Sequence, residues 1–180
     1  ISSRPCRAYT RQSSRSLMLR LIFAFAEKMK LNGPDEYQMT ITDRSASVRA
    51  KDGTPHFVSP ATAKKKPKLY VASKDGALLY VGVTTQPMSV RLRGGLTADG
   101  THGYHGYSWG KKNQSIRLHI WYLDGDNATP TDLETIEAET VFLYRQQSGQ
   151  WPGAQTEIHF HQSGAQHRAC AKQIIDALKT

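Results

Sequence analysis

Cysteine and long apolar stretches are both scarce in this sequence. Its two cysteines, Cys6 and Cys170, stand near opposite ends of the 180 residues, and no C-x-x-C spacing occurs. Two cysteines are too few for a disulfide framework or a cysteine zinc site, so we expect a reducing, cytoplasmic setting. The longest apolar run, Leu17 to Ala26, is interrupted by Arg20. It falls short of the roughly 20 residues that cross a membrane, and we expect no membrane partner.

Acidic residues are also few relative to basic ones. The chain has 15 Asp and Glu against 24 Lys and Arg, which gives a formal charge of +9 with neutral His. Each basic side chain that neutralises a phosphate releases a condensed counterion, so a basic surface favours a polyanionic partner. With 38% hydrophobic residues, the chain also has enough apolar side chains for a packed core. We therefore expect a globular protein that binds nucleic acid.

The first residues of the chain have the composition of a basic arm followed by a helix. Residues 1–15 are predicted to form the arm. Ser14 or Ser16 is a suitable cap for a helix that ends near Leu31, because Asn32-Gly33-Pro34 is a strong stop signal. We expect this basic amphipathic helix to dock on the domain that follows.

A short strand or hairpin and a linker are predicted next. Met39 and Ile41 alternate with polar residues, and residues 43–67 are polar and rich in turn-forming residues. We interpret residues 1–66 as arm, helix and linker, and residues 67–180 as the main domain.

Alternating apolar residues and turn signals predict six elements in the main domain. They are a hairpin with strands over 69–72 and 78–83, a helix from Met88 to about Arg93 ended by Gly94-Gly95, a strand over 116–120, a helix to about Gln147 opened by a Thr131–Glu134 capping box, a strand over 157–161 and a helix over 165–178. This order predicts a small mixed α/β (α+β) fold. Its largely antiparallel sheet is flanked by helices and carries an N-terminal helical extension.

Several side chains in this domain have the chemistry that phosphodiester hydrolysis requires. Such hydrolysis needs a polarised water, a cation near the phosphate and usually a metal ion held by carboxylate. Tyr70 and Tyr80 lie on the two strands of the hairpin, and their even separation suggests a shared face. Arg91 on the next helix is able to bind two phosphate oxygens, and a glutamate on the long helix is able to hold the metal. Each residue type alone is more often structural or solvated, so only the combination indicates a site.

The hairpin motifs resemble those of a known nuclease family. Lys68-Leu69-Tyr70 and Tyr80-Val81-Gly82 are similar to the two paired motifs of the GIY-YIG nuclease superfamily, which also lie on one hairpin. The run from Tyr80 to Arg91 matches the segment that leads to the family's helix arginine, with one extra residue near Gln86-Pro87. Residues 136–143 are similar to its glutamate helix. The resemblance covers residues 66–160 and is greatest to the restriction endonucleases of the superfamily.

This resemblance implies a one-metal mechanism. Tyr70, or Tyr80 acting with it, would orient or deprotonate the attacking water, and Arg91 would stabilise the scissile phosphate. A glutamate would hold Mg²⁺ or Mn²⁺, and the metal would bind the leaving oxygen. An unperturbed tyrosine has a pKa of about 10, so a base role would need a cation or metal nearby to lower it.

Two glutamates compete for the role of metal ligand. Glu139 has apolar residues three before it and three and four after it, which matches the spacing of the family's helix. Glu137 has apolar residues four positions away on either side and is the alternative. Helix spacing favours Glu139 as the catalytic glutamate and metal ligand.

Three positions depart from the family's pattern. Lys68 stands where glycine is usual, and Gly95 stands where many members have a histidine four residues after the arginine. His102 or His105 in the following loop is able to supply an imidazole, and we expect His105 to transfer a proton or contact phosphate. The asparagine expected after the glutamate helix is absent, so that role is either lost or moved to Gln155.

The loop after the arginine helix mixes aromatic and basic residues, as DNA-contacting segments often do. Arg93, Lys111 and Lys112 are our candidates for DNA contacts.

The leading hypothesis is a Mg²⁺-dependent, sequence-specific endonuclease of restriction type that cuts double-stranded DNA. A palindromic recognition site would favour a homodimer. One alternative is a structure-specific repair nuclease. Another is a non-catalytic, basic nucleic-acid-binding module with a decayed site, which the missing glycine, histidine and asparagine favour.

Overall fold

The computed structural model describes residues 29–125 and 128–179, without the side chain of His102. The predicted basic arm lies outside these ranges, and so does most of the helix predicted to follow it. That helix does not extend to Leu31, because Lys30 and Leu31 belong to a strand.

A five-stranded antiparallel sheet forms the centre of the described part of the chain. Its strands are β1 (Lys30–Thr42), β2 (Ser45–Ala50), β3 (Lys68–Lys74), β4 (Ala77–Thr84) and β5 (Gln114–Asp124). They are arranged in the order β2-β1-β5-β3-β4, and every neighbouring pair is antiparallel. The predicted hairpin is the β3–β4 pair.

In the described ranges, three helices accompany the sheet: α1 (Met88–Thr97), α2 (Pro130–Ser148) and α3 (Ala165–Ala177). Two short 3₁₀ turns, Thr101–Gly103 and Ser108–Lys111, lie in the loop between α1 and β5. The fold class is therefore the predicted one, a small mixed α/β fold with an antiparallel sheet. Within the described ranges, no helix has both the length and the apolar character needed to cross a membrane.

The sheet extends across the boundary expected at residues 66 and 67. Strand β1 pairs with β5 over most of its length, since the alternating residues Tyr37, Met39 and Ile41 are buried against the same core as the hairpin. The predicted helix stop, Asn32-Gly33-Pro34, lies inside β1, where the register with β5 shifts between Asn32 and Asp35. Residues that break a helix thus form a bulge in a strand.

Each face of the sheet carries its own apolar layer. On one face, Tyr70 of β3 and Ile120 of β5 pack with Met88 and Leu92 of α1. On the other face, Leu69 and Val71 of β3 pack with residues of α2 and α3. Because strand residues alternate between faces, β3 supplies both layers and is almost completely buried. The hairpin is therefore held rigidly between the two helical layers.

The structure corrects two predicted element boundaries and one predicted strand. Helix α1 continues through Gly94-Gly95 to Thr97, and the ring of Tyr107 packs against it at Gly95. The capping box of α2 is formed by Thr129 and Asp132, since Thr129 accepts from the backbone N–H of Asp132. No strand forms over residues 157–161, which pair with no neighbouring strand in the described part of the chain.

Candidate active site

The hairpin brings Tyr70 and Tyr80 to one face of the sheet, as predicted. Tyr70 is directly opposite Gly82 in the β3–β4 register, and Tyr80 is directly opposite Ala72. Opposed residues in an antiparallel pair point to the same face, and so do residues two apart on one strand. The two tyrosine rings have centroids 6.0 Å apart.

Gly82 makes this approach possible because it has no side chain. A Cβ atom at Gly82 would lie 2.6 Å from the Tyr70 hydroxyl oxygen and 2.5 Å from Cε1 of Tyr80. Both distances are shorter than real Cβ contacts, so any larger residue would push the rings apart. The glycine of the Tyr80-Val81-Gly82 motif thus has a packing role beneath the two phenols.

Arg91 is positioned by the first turns of α1, directly after β4. Its Nε donates a hydrogen bond to the Tyr70 hydroxyl oxygen at 3.2 Å. Its guanidinium carbon lies 5.8 Å from the ring centroid of Tyr107 and 6.0 Å from that of Tyr104. Among the described residues, no carboxylate forms an ion pair with Arg91 and neither Nη atom has a hydrogen-bond partner. The guanidinium is therefore anchored on one side and available to an anion on the other.

Tyr107 completes this group, and sequence reasoning did not identify it. Its hydroxyl oxygen lies 2.6 Å from that of Tyr70, within hydrogen-bond distance. A Cβ atom at Gly95 would lie 2.1 Å from Cε2 of Tyr107, so the ring fills the space that a side chain at position 95 would occupy. The backbone N–H of Tyr107 donates to the carbonyl of Gly95 at 2.8 Å. A signal was present in the sequence: a tyrosine-rich loop follows a glycine placed four residues after Arg91. We call Tyr70, Tyr80, Tyr107 and Arg91 the tyrosine–arginine cluster.

The three tyrosines of the cluster differ in their access to solvent. Tyr70 is completely buried and Tyr107 is 4% exposed, whereas Tyr80 is half-buried. Burial is the main cause that raises the pKa of each phenol well above its usual value, so all three are protonated at neutral pH. The Tyr80 hydroxyl has no hydrogen-bond partner among the described residues. Tyr80 is thus the phenol of the cluster best placed to meet a water molecule or a substrate.

Glu137, and not the favoured Glu139, is the glutamate of α2 that faces the cluster. Glu137 is 8% exposed, and burial raises the pKa of its carboxyl group to about 8. Its charge interacts with both Tyr80 and Arg91. Glu139 is two residues further along the helix, which is more than half a turn, so it lies against Phe142 and Phe160 on another face. The sequence-based choice of Glu139 as metal ligand does not agree with this geometry.

Gln155, one of the two possibilities left open for the amide after the glutamate helix, contacts both strand β4 and Glu137. Its Oε1 accepts from the backbone N–H of Val81 at 3.0 Å, and its Nε2 donates to Oε1 of Glu137 at 3.3 Å and to the carbonyl of Glu157. Residues 153 and 154 donate to carbonyls of β4 at its free edge. Gln155 therefore joins the edge of the hairpin to the carboxylate of α2.

The remaining predicted site residues lie outside the cluster. His105 is exposed, and its ring lies beside Gly100, where a Cβ atom would be 2.8 Å from Nδ1. Among the described residues, no hydrogen bond or ring contact joins His105 to the tyrosines, and the hydroxyl beside that of Tyr70 belongs to Tyr107. Arg93 is exposed on α1, two residues after Arg91. Lys111 and Lys112 are exposed at and just after the end of the second 3₁₀ turn, which contacts α1.

Lys68 occupies the place of the expected motif glycine and is completely buried. Its Nζ donates to three backbone carbonyls, those of Ala63 at 2.7 Å, Lys66 at 2.9 Å and Gln86 at 3.0 Å. Burial, together with the nearby charge of Lys66, lowers the pKa of Lys68 to about 8. The ammonium group thus links the segment before β3 to the connection between β4 and α1. Arg91 lies on α1, just after this connection.

A large groove lies elsewhere on the described part of the molecule. Its volume is about 900 Å³, and it is lined by residues of β1, β3, β5, α2 and α3, including Arg117 and His119. No member of the tyrosine–arginine cluster lines it. Groove size alone would therefore point away from the residues that have the relevant chemistry.

The cluster and Glu137 together offer an anion-binding guanidinium, a phenol with access to solvent and a buried carboxylate. This combination suits the binding of a phosphate beside a polarised water. No family model, curated protein or solved structure matches this chain.

Proposed function

We propose that this protein is a metal-dependent endonuclease that hydrolyses DNA phosphodiester bonds at the tyrosine–arginine cluster. The observation that carries the proposal is the convergence of Arg91, Tyr80 and Glu137, which come from three different elements. Neither Nη atom of Arg91 has a hydrogen-bond partner among the described residues, and the buried Glu137 is close enough for its charge to influence both Arg91 and Tyr80. A group of this kind is rarely needed for stability, because a buried carboxylate without a full set of partners is costly.

Some residues of the cluster hold Arg91 in position, and others contact the substrate or the attacking water. Tyr70 anchors Arg91 by accepting the hydrogen bond from Nε, and the Tyr107 hydroxyl, 2.6 Å from that of Tyr70, holds the Tyr70 hydroxyl in place. The Nη atoms, which have no hydrogen-bond partner among the described residues, would bind the phosphate. The Tyr80 hydroxyl orients the attacking water. Its raised pKa means that it acts as a protonated phenol that accepts and donates hydrogen bonds, unless a cation lowers that pKa.

Glu137 fits the requirements of a ligand for a hard divalent cation. One of its oxygens accepts from Gln155, and the other has no hydrogen-bond partner among the described residues. Its carboxyl group is buried and has a raised pKa, so in the absence of a metal it binds a proton instead. Glu137 would hold Mg²⁺ or Mn²⁺, which when bound would supply positive charge next to the scissile phosphate. A single carboxylate suffices for Mg²⁺, since this ion keeps several of its waters.

The proposed substrate is double-stranded DNA, cut at specific sequences as by a restriction enzyme. Support comes from the formal charge of +9, from the exposed Arg93, Lys111 and Lys112, and from the resemblance of the hairpin and Arg91 to GIY-YIG nucleases. The cytoplasm is the expected compartment for such an activity.

Cleavage of plasmid DNA tests this proposal directly. The full chain is incubated with supercoiled plasmid and Mg²⁺ or Mn²⁺, and the fragment ends are sequenced. We expect discrete fragments, and we expect Arg91→Ala and Glu137→Gln each to slow cleavage by about 100-fold or more. Glu139→Gln is the matched control, because it makes the same change on the same helix but away from the cluster, and it should cut like the wild type.

Three outcomes would contradict this reading. Undiminished cleavage by both Arg91→Ala and Glu137→Gln would rule out the site. Tight, salt-sensitive DNA binding without metal-dependent cleavage would indicate a binding module. Much faster cleavage of branched than of plain duplex DNA would indicate a structure-specific repair nuclease.

Tyr107→Phe tests the anchoring role separately. Removing this hydroxyl leaves the ring packed beside Gly95 but breaks the hydrogen bond to Tyr70. We expect the rate constant for cleavage to fall by about 10-fold or more, with a small change in melting temperature. Tyr104→Phe removes an exposed hydroxyl beside Arg91 and is the matched control. Equal effects of the two substitutions would refute the role of Tyr107.

A further inference from the structure

Two phenylalanines, Phe142 on α2 and Phe160 in the segment between α2 and α3, are unusually exposed. Phe160 is 74% exposed and Phe142 is 57% exposed, the largest values among the large hydrophobic residues described. Both line one groove of about 330 Å³, with Thr135 and Ala138 among its lining residues. Neighbouring exposed aromatics of this kind mark interaction surfaces more often than chance exposure does. We call Phe142, Phe160, Glu139 and Arg168, with this groove, the phenylalanine patch.

The patch combines the projecting side chain of Phe160 with a hollow, the groove described above, in which a side chain of a partner is able to pack. Thr135, Ala138 and Phe142 follow one another at helical spacing on α2, and the first two are almost completely buried. Phe160 projects beside this hollow from the segment between α2 and α3. A surface that contains both a projection and a hollow is able to match a copy of itself across a two-fold axis.

The charges of the patch are self-complementary as well. Glu139 and Arg168 line the same groove but form no ion pair with each other. Within the described ranges, the Arg168 guanidinium donates one long hydrogen bond, 3.4 Å, to the Ser163 hydroxyl. In a two-fold arrangement, Glu139 would meet Arg168 of the partner subunit, and the same contact would occur twice.

We propose that the phenylalanine patch is the interface of a two-fold homodimer of this chain. Glu139 and Glu137 lie on different faces of α2, so dimerisation through Glu139 leaves the tyrosine–arginine cluster uncovered in both copies. The inference goes beyond the proposed nuclease activity and does not depend on it.

Sedimentation velocity of the full chain tests the dimer without any DNA. We expect a dimer for the wild type at micromolar concentrations and weaker self-association, by about tenfold or more, in Phe160→Ser. Glu139→Lys and Arg168→Glu should each be monomeric, because each places like charges opposite one another twice. Arg49→Glu is the matched control, since Arg49 is exposed on the far edge strand β2.

Mixing the two charge variants makes the test specific to this geometry. In a heterodimer of Glu139→Lys with Arg168→Glu, both contacts are again between opposite charges, so the mixture should dimerise although neither variant does alone. Circular dichroism of each variant checks that it is folded. A monomeric wild type, or a dimer insensitive to all three patch substitutions, would overturn the proposal. A lower melting temperature of Phe160→Ser at unchanged mass would also overturn it and assign the patch to a segment of the same chain.

Discussion

At the scale of single residues, the placement of one carboxylate decides the chemistry. Glu137 and Glu139 have similar apolar neighbours in the sequence, so helix periodicity does not distinguish them. The structure distinguishes them because Gln155, which is distant in the chain, binds Glu137. Burial of Glu137 then raises the pKa of its carboxyl group to about 8, which links the stability of the protein to pH.

The stability of the metal-free protein should therefore depend on Glu137 in a defined direction. The pKa of Glu137 is about 8 in the folded state and 4.5 for an ordinary glutamate. The unfolded chain thus loses this proton first, and the free energy of unfolding falls as pH rises between these two values. We expect Glu137→Gln to melt at a higher temperature than the wild type at pH 8, with the difference disappearing toward pH 4.5. Thermal melts over this pH range without divalent cations measure it.

Addition of Mg²⁺ gives this experiment a second readout. A cation that binds the ionised carboxylate stabilises the wild type at pH 8 but not Glu137→Gln. Glu139→Gln, the control, should keep the pH profile of the wild type. If the melting temperatures of wild type and Glu137→Gln keep the same difference at every pH, Glu137 does not titrate as described.

At the scale of elements, the short helix α1 connects the sheet to the cluster. It carries Arg91 in its first turns and two adjacent glycines, Gly94 and Gly95, in its second half. A Cβ atom at Gly94 would meet nothing within 4 Å, whereas one at Gly95 would collide with the ring of Tyr107. Two neighbouring residues of the same type therefore have different reasons to be present, one of which is tertiary.

Alanine substitutions at these two glycines should have opposite effects. Gly94→Ala should raise the free energy of unfolding by about 0.5–1 kcal/mol, because alanine favours the helical conformation. Gly95→Ala should lower it by about 1–3 kcal/mol and also slow cleavage, since Tyr107 must move away from Tyr70. Chemical denaturation of both variants measures the difference, and each variant serves as the control for the other. A stabilising Gly95→Ala would show that Tyr107 does not occupy this position.

At the scale of the whole molecule, the tyrosine–arginine cluster and the phenylalanine patch lie on different surfaces. The face covered by α1 holds the tyrosines and the exposed bases Arg93, Lys111 and Lys112, while α2 carries the phenylalanine patch on its outer side. Strand β3 belongs to both apolar layers, so the two surfaces are joined by one rigid core. This arrangement allows a dimer to bind DNA with both clusters uncovered.

The salt dependence of DNA binding measures how many basic side chains contact phosphates. Each phosphate contact that is lost should reduce the slope of log affinity against log salt by about 0.9. We expect replacement of Arg93, Lys111 and Lys112 by alanine to reduce this slope in a titration with a DNA duplex. The control replaces three exposed lysines elsewhere, Lys51, Lys172 and Lys179, and should change the slope much less. Equal slopes for the two triple variants would exclude the proposed DNA-contacting surface.

Much of the fold and part of the site were predictable from local patterns. The hairpin, the last strand and the helices α2 and α3 were predicted because apolar periodicity and turn residues act over a few positions. Strand β1 was partly mistaken for a helix end because its glycine and proline form a bulge that only the pairing with β5 explains. The strand predicted over 157–161 is absent because an alternating pattern does not provide a neighbouring strand to pair with.

The sequence by itself determined the fold class, the basic surface and the shared face of Tyr70 and Tyr80, because alternation along a strand and net charge are local or additive properties. Only the tertiary structure decided that Glu137 and Tyr107 accompany Arg91, that His105 and Glu139 do not, and that Lys68 is a buried tie between loops. The placement of these side chains depends on which residue packs into each space in the folded chain. That is a property of packing between segments distant in the chain, and spacing along the sequence does not encode it.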